Sequence, residues 1–106
     1  MSIDKNTVQE IIRRILTVAQ PDMVILFGSA ATGSMTRDSD VDLLIIETNP
    51  DDRRKESLRI DEALGGLDYA FDVIVISTEG FEASKNVIGG IAYPANKYGK
   101  VIYAAA

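Results

Sequence analysis

The chain has no cysteine and no histidine. The first absence removes disulfides, thiol nucleophiles and Cys-based zinc sites. The second removes a Ser-His-Asp triad and His-ligated zinc, iron or copper. Acid–base and metal chemistry must therefore rest on carboxylates, which favour hard cations such as Mg²⁺. Positive charge is also in short supply. The net charge is −5, so a duplex nucleic acid finds little here to hold its phosphates. Such a domain suits a metal ion or a basic protein partner. Between Met1 and Gln20 stand Asp4, Lys5, Glu10, Arg13 and Arg14, which exclude a signal peptide or membrane span there. A cytoplasmic location is expected. No repeat, low-complexity stretch or linker is present. A length of 106 residues leaves room for one core, so a single domain over 1–106 is expected. Hydrophobic residues at 46% supply enough apolar side chain to exclude disorder.

What is present reads as alternating helices and strands. Val8, Ile11, Ile12, Ile15, Leu16 and Ala19 form one apolar stripe at helical spacing. Asn6 or Thr7 is the expected cap, with Glu10 completing a capping box after Thr7, and Pro21 ends the helix. The stripe serves the core or a dimer. Met23 to Phe27 is an apolar run of strand length that stops at Gly28-Ser29. Ala30 to Ser39 reads as a loop or short helical turn. Val41 to Glu47 is a second strand, whose run Leu43-Leu44-Ile45-Ile46 predicts burial on both faces. Asp51 to Leu64 reads as a surface helix with a thin stripe of Leu58, Ala63 and Leu64, closed by Gly65-Gly66. Tyr69 to Ser77 is a third strand. Phe81 to Ile88 and Pro94 to Tyr98 read as short helices, and Lys100 to Tyr103 as a last strand. The expected fold class is α/β, a small mixed sheet with helices packed on it.

The middle of the chain carries the chemistry. A strand delivers Gly28-Ser29, ten residues follow, and Asp40-Val41-Asp42 opens the next strand. Residues two apart on a strand share a face, so Asp40 and Asp42 project together. Their separation suits a pair of metal ions. Asp72 stands among apolar residues on the third strand, where a lone buried carboxylate is costly unless paired or metal-bound. Three neighbouring carboxylates repel one another until cations arrive. Gly28 lets backbone approach a phosphate, Ser29 adds a hydroxyl and an N–H, and Gly33 allows the turn back.

This pattern resembles the nucleotidyltransferase superfamily that includes DNA polymerase beta. Its signature is Gly-Ser, a spacer of about ten, Asp-x-Asp on a strand, and a third Asp on a later strand. Gly28, Ser29, Asp40, Asp42 and Asp72 match it. Leu26-Phe27-Gly28-Ser29, Ser39 to Leu43, and the closing Gly99 to Tyr103 resemble the minimal nucleotidyltransferase (MNT) branch, and the likeness covers nearly the whole chain. The resemblance implies a polymerase beta palm-like core using two Mg²⁺ ions and ATP. It implies Asp40, Asp42 and Asp72 as catalytic and metal-binding residues, with Asp72 as general base, and Gly28 and Ser29 as nucleotide-binding residues. It further implies an antitoxin that transfers AMP to a tyrosine of a HEPN-type toxin and silences it. A chain this small completes its acceptor site in trans, with a partner protein or a second copy of itself.

One departure stands out. Many members carry Arg at the positions of Ala30 and Thr32. Arg37 is a candidate to compensate. A non-catalytic antitoxin that neutralises its toxin by binding alone is the alternative. Nucleotidylation of a small molecule is a weaker third reading, because those relatives carry a second domain.

Other patterns fall short. Asp38 to Asp42 resembles a calcium loop, but Leu43 stands where Gly is required and Asn49 where Glu is required. Gly28 and Gly33 have P-loop spacing, but Ser34-Met35 replaces Lys-Ser/Thr. Asp38, Asp68 and Glu47 read as loop, turn and rim charges. Asp51 to Lys55 reads as a solvated helix start. Tyr69, Tyr93, Tyr98 and Tyr103 read as packing residues.

Overall fold

A computed structural model describes residues 3–36 and 39–106. Arg37 and Asp38, singled out above, lie outside the described residues. The elements run α1 (Lys5–Val18), β1 (Met23–Phe27), α2 (Ser29–Thr32), β2 (Val41–Glu47), α3 (Arg53–Ala63), β3 (Phe71–Ser77), α4 (Thr78–Ser84), α5 (Ala92–Tyr98) and β4 (Lys100–Ala104). The strands form one mixed sheet in the order β3-β2-β1-β4. β1 is antiparallel to both β2 and β4, whereas β2 and β3 are parallel. A parallel pair needs a crossover, and α3 supplies it.

β2 lies inside the sheet, and every residue from Leu43 to Glu47 is buried. Strand alternation divides its side chains between two cores. Val41, Leu43 and Ile45 join Val24, Leu26, Ile11 and Ile15 on the side covered by α1 and α3. Leu44 and Ile46 join Ile25, Phe27, Phe81, Ala92 and Ala95 on the side covered by α4 and α5. The continuous apolar run is therefore two alternating stripes, each meeting its own helical layer.

The structure corrects four expectations about elements. Asp4, not Asn6 or Thr7, caps α1, its Oδ1 accepting from the Thr7 N–H at 2.8 Å. α3 does not lie loosely on the surface. Ile60 and Leu64 are fully buried, whereas Leu58 is 60% exposed. Leu64 belongs to the expected stripe, but Ile60 does not, and burying that one side chain stabilises by about 1.5–3 kcal/mol. Arg14 Nη1 donates to Gly65 O at 2.5 Å and Arg59 Nη2 to Val18 O, tying α3 to α1. α4 starts three residues earlier than its apolar content suggests, because Ser77 Oγ caps it by accepting from Gly80 N at 2.9 Å. Finally, Glu47 is no rim charge: it is 5% exposed. No described helix is long and apolar enough to cross a membrane.

Candidate active site

β1 delivers the chain to Gly28, which adopts φ 70° and ψ −152°. That region is open essentially to glycine alone. A second constraint coincides with it. A Cβ built on Gly28 would stand 2.1 Å from Oδ2 of Asp42. The space left by the missing side chain thus admits the Asp42 carboxylate. Ser29 then begins the four-residue α2, and Gly28 O accepts from Ala31 N at 3.1 Å and Thr32 N at 3.3 Å. Gly33 ends the turn with φ 80°. Ala30 is buried, so of the two loop positions that lack arginine only Thr32 faces outward. Its hydroxyl lies 2.9 Å from Ser34 Oγ.

Asp40 is exposed in the residue before β2, and Val41 N donates to Ala70 O at 2.8 Å as the first rung toward β3. The register then sets Asp42 opposite Phe27 on one side and Asp72 on the other. Nothing in the sequence spacing shows that Asp42 rather than Asp40 lies over Gly28; the antiparallel register decides it. Asp72 is exposed at the start of β3, not buried as its apolar neighbours suggest, because β3 is an edge strand. The Asp42 carboxyl is pushed above its ordinary value, first by burial and then by the charges of Asp72 and Asp40.

The donor set is wholly carboxylate, which in kind suits Mg²⁺. The like-charge field at Asp42 is one that a cation would relieve. In position the acids are neighbours rather than a formed cage. Among the described residues no group of three or more is gathered tightly enough to hold an ion as it stands.

The opposite end of the sheet has acids of another sort. Asp22 Oδ2 accepts from Thr48 Oγ1 and from Thr78 Oγ1, each at 2.5 Å, and these hydroxyls pull its carboxyl below the usual range. Glu47 is pushed up to about 7, by burial first and then by the Glu56 carboxyl beside it. Glu47 Oε2 and Glu56 Oε1 are both buried without a hydrogen-bond donor, and Arg59 Nη1 stands 3.4 Å from the latter. A groove of about 330 Å³ along α3, lined by Asp51, Asp52, Lys55, Glu56 and Arg59, carries charges of both signs. The solvated helix start read from the sequence forms one wall of it.

Of the tyrosines, Tyr69 packs edge-on against Phe71 at 6.5 Å, as expected of a packing residue. Tyr98, by contrast, is 57% exposed.

Comparison with known proteins adds to this geometry. Residues 6–93 match the family model described as "Nucleotidyltransferase domain". No curated protein matches the chain. Among solved structures, a toxin–antitoxin crystallised with AMP-PNP superposes with a TM-score of 0.66 at 20% identity, over 92% of this chain and 73% of that one. A protein from Sulfolobus solfataricus described as a nucleotidyltransferase gives 0.61 at 16% identity, over 92% and 78%. A mutant of the MntA–HpeT toxin–antitoxin, in which two aspartates two residues apart became glutamate, gives 0.63 at 14% identity, over 97% and 75%.

Proposed function

This chain belongs to the nucleotidyltransferase domain family, and we propose that it is a Mg²⁺-dependent transferase that moves AMP from ATP to a protein hydroxyl. Its acceptor in this reading is a tyrosine of a HEPN-type toxin, which it silences as an antitoxin. The observation that carries the reading is the placement of Asp42. Its carboxylate lies over Gly28 and is in register with Asp72 across a parallel pair. Further support comes from the toxin–antitoxin neighbours, one of them bound to AMP-PNP. Another was altered at two aspartates with the spacing of Asp40 and Asp42.

Asp40 and Asp42 would hold both ions, and Asp72 the second. When bound, Mg²⁺ supplies charge neutralisation on the triphosphate and acidifies the attacking hydroxyl. The protein's own groups do the rest. Ser29 offers a hydroxyl and an N–H to the phosphates. Asp72, exposed at the strand start, is the group free to take the proton of the acceptor hydroxyl. The acceptor oxygen forms a bond to the α-phosphorus, the bond to the bridging oxygen breaks, and pyrophosphate leaves.

A second reading rests on Ala30 and Thr32, which stand where many relatives are basic: the chain neutralises its toxin by binding alone. Transfer of label from α-labelled ATP to the cognate toxin distinguishes the two. Label on the toxin, lost in the Asp40→Asn, Asp42→Asn double variant, is the expected result. A stable complex without label would replace catalysis with binding.

A further inference from the structure

Strand alternation sorts the side chains of the sheet onto two faces. Asp42 leaves β2 on the face of Leu44 and Ile46, and Asp72, its cross-strand partner, leaves β3 on the same face. That face is the one covered by α4 and α5, through Phe81, Ala92 and Ala95. On the transferase reading, the acceptor hydroxyl approaches from this side of the sheet.

Exposed apolar side chains gather on the same side. Of the seven large ones exposed among the described residues, five are Val87, Ile88, Ile91, Tyr98 and Val101. Such residues scattered singly need no explanation, but a cluster within one short segment does. Val87, Ile88 and Ile91 lie in the link between α4 and α5, with Ile88 80% exposed. Asn96 Nδ2 donates to Lys85 O at 3.5 Å and so ties the start of the link to α5. Tyr98 ends α5. Val101 is opposite Ile25, which places it on the face of the two helices, on the edge strand β4.

The charge of this stretch is opposite in sign to that of the rest of the chain. Up to Glu82 there are sixteen acidic and eight basic side chains, and beyond it three lysines and no acid. Lys85 is held by Glu82 at 2.7 Å, and Lys100 leaves with Leu26 on the other face. Lys97 of α5 has its Nζ 5.6 and 5.4 Å from the ring centres of Tyr93 and Tyr98, and no carboxylate partner among the described residues.

We propose that the α4–α5 link, the end of α5 and Val101 form the docking surface for the protein that carries the acceptor hydroxyl. That partner presents an apolar patch with a carboxylate for Lys97. The inference rests on the protein-acceptor reading above and assigns it a surface. A second copy of the chain fits less well. A two-fold pairing sets like surface against like, so Lys97 would face Lys97 with no acid after Glu82 to answer it.

The test is titration of the full chain with the cognate toxin, followed by label transfer from α-labelled ATP at rising toxin concentration. Ile88→Glu puts a charge at the most exposed apolar position and is expected to weaken toxin binding about a hundredfold. Ile88→Ser and Lys97→Glu are each expected to weaken it about tenfold, the latter with an altered salt dependence. Each variant should raise the toxin concentration needed for half-maximal transfer and leave the rate at saturating toxin within about twofold of the parent. Leu58→Glu, also exposed but on α3 over the opposite face, should change neither. Unchanged toxin affinity in the folded Ile88→Glu, Lys97→Glu double variant would overturn the inference and leave the toxin reading intact. So would loss of self-association in that variant with toxin affinity retained, because the surface would then join copies of this chain. A parent protein that neither binds nor labels the toxin would overturn both. Ile88 and Lys97 are exposed, and a thermal melt confirms that each variant is folded.

Discussion

The two ends of the sheet hold acids under opposite conditions. At one end Asp40 and Asp72 are exposed and Asp42 is half-buried against Gly28, with no hydrogen-bond donor to its carboxylate among the described residues. At the other end Asp22 takes two hydroxyls, and Glu47 is sealed beside Glu56. Both ends raise the pKa of one carboxyl. The causes differ, and so do the remedies. Glu47 is relieved by keeping a proton. Asp42 is opened to solvent with two like charges at hand, a condition that a cation relieves. On the reading proposed above, Asp42 is an acid arranged for a ligand and Glu47 one arranged for the fold, although the pKa shifts of both have the same sign.

The sharpest way to break this comparison is to neutralise each end in turn. Asp40→Asn with Asp42→Asn should lower nucleotidyl transfer at least about a thousandfold with no loss of thermal stability. Glu47→Gln should leave transfer within about twofold of the parent. Equal losses would erase the distinction. Next in size is the turn itself. Gly28→Ala meets both a forbidden backbone region and the Asp42 carboxylate, and should cost about 2–3 kcal/mol in denaturant unfolding. Gly33→Ala, where nothing lies within 4 Å of the added Cβ, should cost only about 1 kcal/mol.

The third effect is pH dependence. The Glu47 pKa is raised when folded, from the ordinary 4.5 to about 7. The folded protein therefore holds a proton that the unfolded chain releases. Its stabilising contribution is full below about pH 4.5 and is lost as pH rises through about 7, amounting to about 1–2 kcal/mol. Thermal midpoints of the parent should fall between pH 5 and 8, and Glu47→Gln should flatten that slope. The smallest effect is at Asp22, whose pKa is lowered, so its stabilisation is present above its ordinary value and lost as pH falls. Thr78→Val should cost under about 1 kcal/mol at pH 7, and the cost should vanish in acid.

The four strands were legible in the sequence because apolar runs are local, and so was the placing of Gly28, Asp42 and Asp72 at strand ends, because the Gly-Ser and Asp-x-Asp spacings are local too. The role of Ile60 was not. α3 has almost no amphipathic signal: of its eleven residues only Ile60 is buried, packed into the core cluster with Ile11 and Ile15 of α1. The burial of Glu47 was hidden for a similar reason. A carboxylate ending a strand reads as a rim charge unless one knows that α3 closes over it. Asp72 erred in the other direction: its apolar neighbours suggested an interior strand, but β3 is an edge. Nor does any local pattern reveal that β4 pairs with β1, which is what sets Lys100 opposite Leu26.

That pairing also has a consequence in time. Leu26 is made early in synthesis, but its partner Lys100 leaves the ribosome only after most of the sheet has been translated. Until then β1 presents an open row of amide and carbonyl groups on one side, next to Val24 and Ile25, with nothing to cover them. The nascent domain thus passes through an interval in which its helices and three strands exist but β1 is still an unclosed edge. β4 acts as the fastener, and a substitution at Gly99 that delays its docking would lengthen the interval in which chains cross-pair, even if the finished fold tolerated the change.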